Sequence, residues 1–149
     1  MPATSPRILV IHGPTLQLLG SREPEIYGTT TLAEIDAQLI ALGTQLGVTV
    51  ECRQTNHEGE IVDWLGVARD DFDGCLMNPA AYSHTSVAIR DAIAASIPTV
   101  EVHLSQIYAR EAFRAHSLTA PVAIGIISGF GPASYTLGLR ALIDYVGSR

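Results

Sequence analysis

The 149-residue sequence contains no lysine, so arginine supplies all nine of its basic side chains. Against fifteen acidic side chains, these arginines leave a formal net charge of −6 at pH 7. A nucleic-acid partner is therefore not expected, because binding to phosphates needs a basic face. The few arginines become informative for the same reason, since several of them lie in segments whose other residues suggest function.

Long apolar runs are also absent. No stretch approaches the roughly 20 residues that a transmembrane helix needs, so we expect no membrane partner. Residues 1–7 lack a charged region followed by an apolar core, and the first apolar run, Ile8 to Ile11, is too short for a signal peptide. The sequence therefore predicts a cytoplasmic protein.

Cysteine is scarce too, with Cys52 and Cys75 as its two occurrences. Both lie in predicted strands, and their spacing fits no metal-ligand motif. We interpret them as small core residues and not as a disulfide, which is compatible with a reducing compartment.

Short β-branched or apolar runs alternate with helical patterns along the chain, which is typical of a parallel sheet. With 47% hydrophobic and 16% charged residues, the composition suits one packed domain over residues 1–149. The α/β fold expected for five strands of this length is flavodoxin-like, in three layers, with strand order 2-1-3-4-5. The predicted strands are Ile8 to Ile11, Val48 to Cys52, Gly74 to Met77, Thr99 to Val102 and Val122 to Ile127.

Helices are predicted between these strands. The clearest begins at a capping box formed by Thr31 and Glu34 and ends at Gly47. The others are predicted at Glu58 to Asp70, from His84 or Thr85 to Ala95, and at Pro132 to Val146.

Polar, glycine-rich or histidine-bearing segments follow four of the predicted strands. They cover residues 12–28, 78–85, 103–114 and 128–131. Ligands of doubly wound folds bind beyond the carboxyl ends of the strands, so one crevice could collect all four segments.

The first segment is long for a connection from a strand to a helix, and long ordered loops are often lids. Arg22 and Tyr27 are its reactive-looking pair, because a phenol becomes a usable base near neutral pH only if a cation stabilises its phenolate. A solvated arginine and a tyrosine that caps the core remain an alternative at this point. The segment lacks the Gly-Lys-Ser/Thr ending of a P-loop, which disfavours a nucleotide- or flavin-binding module.

Glu101 and His103 lie two residues apart on a strand and therefore project to the same side. A carboxylate beside an imidazole fixes its tautomer and suits it for general acid catalysis. The same pair could bind a metal with His84 as a third ligand. His84 also lies near a predicted helix start, where free N–H groups could hold an anion, and Arg110 and Arg114 would share a helical face as a carboxylate clamp.

In order and spacing these segments resemble the type II dehydroquinase family, from Ile8 to about Leu142. The stretches that carry the resemblance are residues 22–28, 53–60, 78–91, 101–105 and 109–111. The resemblance implies a flavodoxin-like fold, a homo-oligomer in which trimers form a dodecamer, and no metal or organic cofactor. It also implies anti elimination of water from 3-dehydroquinate to 3-dehydroshikimate, through an enolate.

Carried over by position, the resemblance assigns a role to each site residue. Tyr27 is implied as the base that removes the C2 proton, with Arg22 beside it. His103, oriented by Glu101, is implied as the acid that protonates the leaving C1 hydroxyl. The residues implied to hold the substrate are Asn78, His84, Ser105, Gln106 and Arg114, with Asp91 reaching in from an adjacent subunit and Arg110 shaping the lid.

The chain departs from the family pattern in its first loop. The family usually reads Asn-Gly-Pro-Asn-Leu-Asn, whereas this chain has His12, Thr15 and Gln17 in place of the three asparagines. Thr15 replaces the asparagine that helps to position a water and to stabilise the enolate, so Thr15 is included among the predicted catalytic residues. Gln106 and Tyr108 replace a usual asparagine and a frequent histidine. Weakened activity, a different cyclic hydroxy-acid as substrate, and a ligand-binding role without catalysis therefore stay open.

Overall fold

Five strands form one parallel sheet in the computed structural model, which describes residues 4–149. The first three residues, on which the expectation about the amino terminus partly rests, lie outside the described residues. The strand order is β2-β1-β3-β4-β5, as predicted. The strands are β1 (Arg7–His12), β2 (Thr49–Gln54), β3 (Gly74–Asn78), β4 (Thr99–His103) and β5 (Gly125–Ser128).

Three helices of two turns or more connect the first four strands, a fourth follows the last strand, and a single helical turn lies in the first loop. The Thr31 hydroxyl accepts a hydrogen bond from the Glu34 N–H at 3.2 Å, which starts α2, and Gly47 follows that helix with a φ of 82°. The left-handed backbone at this position favours glycine. The helices are α1 (Pro24–Tyr27), α2 (Leu32–Gln45), α3 (Glu58–Asp71), α4 (Val87–Ala94) and α5 (Ala133–Gly147).

Alternation along the central strand β1 divides the core into two layers. Ile8 and Val10 pack with side chains of α2 and α5, whereas Leu9 and Ile11 pack with side chains of α3 and α4. All four are fully buried. By the same alternation, His12 at the end of β1 points to the α2 and α5 side.

Two predicted boundaries were wrong. The last strand begins at Gly125 and not at Val122, because residues 120–122 form a 3-10 turn that contains Pro121. Helix α4 begins at Val87 and not at His84 or Thr85, because the Ser86 hydroxyl accepts the Ile89 N–H at 2.9 Å and caps the helix there. Residues 80–84 form a separate 3-10 turn.

Both cysteine thiols are free, as predicted. Cys75 is fully buried in β3, and burial raises the pKa of its thiol to about 12. In the described part of the chain, none of the helices combines the length and apolar character that crossing a bilayer requires.

Gly138 on α5 brings that helix close to the sheet. A Cβ built at Gly138 would lie 2.7 Å from Val102 Cγ1 and 2.9 Å from Leu76 Cδ1. Gly66 on α3 is an exposed helical glycine, and no atom lies within 4 Å of the position that a Cβ would occupy there. The two glycines therefore separate the effect of packing from the effect of helix propensity.

We predict that Gly138→Ala lowers the free energy of unfolding by roughly 1 to 3 kcal/mol, because overpacking outweighs the propensity of alanine. Gly66→Ala should raise it by about 0.5 to 1 kcal/mol, since only propensity acts there. Denaturant unfolding of both variants measures the difference. Equal stabilisation by the two substitutions would contradict the close approach of α5 to β3 and β4.

Candidate active site

A cavity of about 160 Å³ lies at the carboxyl edge of the sheet, where segments after β1, β3 and β4 meet. A cavity of roughly 150 Å³ accommodates a benzene ring, so this one has room for a single six-membered ring. The structure brings most of the predicted site residues to its wall. These are Thr15, Arg22, Tyr27, Asn78, His84, His103, Ser105, Arg110 and Arg114.

Tyr27 lies between two guanidinium groups. Arg22 Cζ is 4.9 Å from the centre of the Tyr27 ring, and Arg110 Cζ is 5.2 Å from it. Arg22 is held in place because its Nη1 donates to Thr15 Oγ1 at 2.9 Å. Both guanidinium groups are thus close to the Tyr27 ring. Arg110 is thus part of the environment of Tyr27, which the sequence alone did not indicate.

The Glu101 carboxylate anchors His103 from behind the cavity. Glu101 is 1% exposed, and its Oε2 accepts a hydrogen bond from His103 Nε2 at 2.8 Å. The Thr119 hydroxyl donates to Oε1, and the Ser117 hydroxyl donates to Oε2 at 3.3 Å. The His103 ring therefore has a defined tautomer in its neutral form, with Nδ1 left without a hydrogen bond to another described residue.

Ser117 and Thr119 were not singled out from the sequence. They lie 16 and 18 residues after Glu101, in a segment without regular secondary structure around the Ala120–Val122 turn. Hydroxyl residues in such loops are common, so no pattern distinguishes two that satisfy a buried carboxylate.

His84 and Asn78 enter the cavity from the segment after β3. His84 Nδ1 donates to the His116 carbonyl at 2.9 Å, so Nε2 is an acceptor, and the Ser83 hydroxyl lies 3.5 Å from it. The His84 and His103 rings are nearly parallel, with centroids 6.5 Å apart. His84 lies at the end of a 3-10 turn, so the helix start predicted at His84 was wrong, and the helix begins three residues later at Val87.

Arg110 and Arg114 do not share a helical face, contrary to the prediction from their spacing. Arg110 has extended backbone angles between two 3-10 turns, Ile107–Ala109 and Ala112–Ala115. Both arginines nevertheless reach the cavity. Arg110 Nη1 donates to Ser105 Oγ at 3.1 Å, and Arg114 Nε donates to Glu111 Oε2 at 2.6 Å. The Arg114 guanidinium lowers the pKa of the Glu111 carboxyl.

Gln106 and Asp91 do not line this cavity. Gln106 lies in a neighbouring groove, where its Oε1 accepts from the Tyr108 N–H at 3.4 Å. Asp91 is exposed on α4. Within one chain, neither side chain is placed to touch a molecule in the cavity.

The first loop is fixed by polar contacts from the segment after β2. Asn56 Oδ1 accepts from the Thr15 N–H at 2.9 Å, and Gln54 Nε2 donates to Gln17 Oε1 at 3.2 Å. Thr15 has a φ of 66°. This left-handed conformation is unusual for a β-branched residue and readily adopted by asparagine. The role of Asn56 was not foreseen, because it depends on a contact across 41 positions of the sequence.

The alternative metal site at Glu101, His103 and His84 finds no support in this geometry. The Glu101 oxygens are engaged by His103, Ser117 and Thr119, while His84 is held by the His116 carbonyl. Among residues 4–149, the three side chains whose potential ligand atoms lie within 4.8 Å of one another are His12, Asp36 and Cys52. That group lies on the opposite side of the sheet from Glu101.

Comparison with known proteins identifies the family. Residues 6–143 match the sequence model of the family described as Dehydroquinase class II. The chain belongs to the class II dehydroquinase family. The match covers all five strands and most of α5, and it includes every residue of the cavity wall.

Individual class II dehydroquinases are similar over almost the whole chain. A 3-dehydroquinate dehydratase of Geotalea daltonii is 59% identical over 141 residues, which cover 94% of this chain and 98% of that protein. A protein of the same name from Acaryochloris marina is 58% identical, with 95% of both chains covered. The crystal structure of the type II dehydroquinase from Propionibacterium acnes has a TM-score of 0.90 and 45% identity, covering 96% of this chain and 99% of that one.

Proposed function

We propose that the chain is a 3-dehydroquinate dehydratase, which eliminates water from 3-dehydroquinate to form 3-dehydroshikimate. The observation that carries the proposal is the pairing of two groups on one cavity wall. Tyr27, flanked by two guanidinium groups, is suited to act as a base, and His103, backed by Glu101, is suited to act as an acid. Membership of the family and the names of its 52–59% identical relatives support this reaction over the alternatives.

In the proposed reaction, the Tyr27 phenolate removes the C2 proton of the substrate. Arg22 and Arg110 stabilise the phenolate by their charge, since the ring lies within about 5 Å of both guanidinium carbons. The electron pair of the broken C–H bond passes into an enolate with the adjacent ketone. Donors at the cavity wall then stabilise the enolate oxygen.

His103 completes the elimination by protonating the C1 hydroxyl as it leaves. The Glu101 carboxylate holds the ring through Nε2, so Nδ1 is the nitrogen that delivers the proton. The enolate collapses as the C–O bond breaks, which yields the conjugated enone and one molecule of water. Atoms and electrons therefore balance without a metal or an organic cofactor.

The remaining cavity residues are proposed to orient the substrate. Asn78, His84 and Arg114, which line the cavity, are proposed to bind hydroxyl groups, and Ser105 with its Arg110 contact is proposed to bind the carboxylate. Asp91 is proposed to act across a subunit boundary. Gln106 is not included in the substrate site, because its side chain faces the neighbouring groove.

The proposed biological setting is the cytoplasm, where the enzyme serves the shikimate pathway of aromatic biosynthesis or the breakdown of quinate. Free cysteine thiols are compatible with this compartment.

A homo-oligomer, with trimers assembled into a dodecamer, is proposed as the working form. One edge of the sheet is β5, which carries the partly exposed side chain of Ile126, and Ile124 just before this strand is also partly exposed. Phe130, just beyond β5, is 64% exposed. Apolar side chains grouped beside an unpaired strand edge are typical of surfaces that bury against another chain.

Replacing Tyr27 by phenylalanine should lower turnover of 3-dehydroquinate by about 100- to 10,000-fold, because the base is lost. The appearance of the conjugated enone measures turnover, and circular dichroism checks the fold. Tyr145→Phe removes a hydroxyl from α5, outside the cavity, and should leave turnover unchanged. Wild-type turnover is expected to survive EDTA. Full activity of the Tyr27→Phe variant, or zinc-restored activity after EDTA, would rule out the proposed chemistry.

Thr15→Asn should raise both stability and turnover. Asparagine tolerates the left-handed backbone at φ 66°, so we expect a gain of about 1 kcal/mol and a melting temperature higher by roughly 2 to 4 °C. An added amide donor near the enolate could raise turnover up to roughly 100-fold. Thr44→Asn, the same change at an exposed helical position of α2, should do neither. An unchanged rate would show that the Thr15 hydroxyl already suffices.

The chain should sediment as a particle of about twelve times its own mass of 15.9 kDa. Ile126→Glu should produce smaller particles, because a charge placed on the β5 edge opposes its burial. Val67→Glu, at an exposed position of α3, is the matched control. A wild-type chain that sediments as a monomer at micromolar concentration would refute the proposed assembly.

A further inference from the structure

His12 is a fully buried histidine behind the wall of the cavity. It ends β1 and points between α2 and α5, which carry Asp36 and Tyr135. His12 Nε2 lies 2.7 Å from Asp36 Oδ1, and His12 Nδ1 lies 2.9 Å from the Tyr135 hydroxyl. The Tyr135 hydroxyl in turn accepts from Asn78 Nδ2 at 3.1 Å. A continuous chain of hydrogen bonds thus joins Asp36 on α2 to Asn78 on the cavity wall.

The chemistry of these groups allows one arrangement of protons. The amide nitrogen of Asn78 can only donate, so the Tyr135 oxygen accepts from it and the Tyr135 O–H must donate elsewhere. Burial raises the pKa of Tyr135, which keeps this proton on the hydroxyl. His12 Nδ1 is the acceptor within reach. The His12 proton is then on Nε2, where the Asp36 carboxylate accepts it.

At the Asn78 end of these hydrogen bonds, a contact with the backbone fixes the orientation of the Asn78 amide. Asn78 Oδ1 accepts from the Ala80 N–H at 3.0 Å. A rotated amide would place its NH₂ group against the Ala80 N–H, which is donor against donor. It would also place its oxygen against the Tyr135 oxygen, which is acceptor against acceptor because the Tyr135 proton is donated to His12. The observed orientation leaves the second N–H of Nδ2 for a molecule in the cavity.

We propose that Asp36, His12 and Tyr135 are positioning residues that lock the Asn78 amide with its NH₂ group toward an oxygen of the substrate. The inference rests on the proposed function only in naming that substrate as 3-dehydroquinate. Asn78 contacts the substrate, whereas the other three act through Asn78. The carboxylate on α2 therefore sets the donor and acceptor pattern of the cavity wall from the far side of β1.

A transition-metal site is the competing use of the same cluster, because Cys52 brings a sulfur atom close to His12 and Asp36. A metal on His12 Nε2 would move the ring proton to Nδ1. The Tyr135 oxygen would then receive hydrogen bonds from both neighbours, and its own buried proton would lose its acceptor. In addition, burial and the Asp36 carboxylate raise the pKa of the Cys52 thiol, which opposes the thiolate that a metal needs. Without a metal, each polar atom that links Asp36, His12, Tyr135 and Asn78 has a hydrogen-bond partner. The same holds for the buried polar side-chain atoms of the other described residues.

A double-mutant cycle tests whether Tyr135 acts through Asn78. Tyr135→Phe should lower kcat/KM for 3-dehydroquinate by roughly 10- to 100-fold, the scale of a misplaced substrate contact. Combined with Asn78→Ala, it should cost no more than Asn78→Ala alone, because the group that it positions is already gone. Tyr145→Phe, which removes a hydroxyl from the same helix but outside the cavity and the hydrogen-bonded chain, should leave kcat/KM unchanged. Losses that multiply in the double variant would overturn the proposal.

The Asp36 variants provide a second test if Tyr135→Phe does not fold. Asp36→Asn keeps an oxygen acceptor for His12 Nε2–H and should retain kcat/KM within about threefold. Asp36→Leu removes the acceptor and should lower kcat/KM by roughly tenfold. Equal values for the two variants would contradict the role of Asp36.

The tautomer of His12 gives a readout that does not depend on activity. In protein labelled with ¹⁵N at histidine, the His12 signals, identified by their loss in His12→Asn, should report a neutral ring protonated at Nε2. A ring protonated at Nδ1, or His12 signals that shift on addition of zinc chloride, would overturn the proposal. Failure of wild-type protein to convert 3-dehydroquinate would instead refute the proposed function and leave the tautomer result intact.

Discussion

The register of the central strands is the constraint on which the site depends. His12 at the end of β1 pairs with Gln54 of β2 and with Asn78 of β3, so three strands end at the same level. The loops that follow these strands start close together, because parallel strands end at a common edge of the sheet. Loops of very different length, from the first loop to the turn at residues 80–84, therefore meet around one cavity.

Arginine shapes the electrostatics of that cavity in a protein without lysine. A planar guanidinium stacks on an aromatic ring and still donates hydrogen bonds at its edge. Arg110 does both, since it lies over Tyr27 and bonds to Ser105, while Arg22 lies over Tyr27 and bonds to Thr15. Each arginine thereby links the proposed base to a second part of the site. A lysine could provide the charge but not the two fixed directions of contact.

The departures of the first loop from the family pattern fall into two physical classes. Thr15 and Gln17 remain in the loop, where Asn56 and Gln54 hold them through polar contacts. His12 is different because alternation along β1 turns it into the interior, away from the cavity. There it needs partners for two ring nitrogens, and α2 and α5 supply one each. Neighbouring positions of the first loop are therefore held by contacts on different sides of the sheet.

The sequence by itself determined the strand order, the two cysteines as free thiols, and the pairing of Glu101 with His103, because hydrophobic alternation and same-side projection act over a few residues. The meeting of the segments after β1, β3 and β4 at one cavity was predictable from topology alone, whereas the predicted fourth segment, residues 128–131, contributes to the neighbouring groove instead. Only the tertiary structure decided that Gln106 faces away from the cavity and that Asp36 reaches Asn78 through His12 and Tyr135. Those outcomes depend on contacts between residues up to 123 positions apart in the sequence. Packing between distant segments decides which way such a side chain points, and no local sequence pattern encodes that packing.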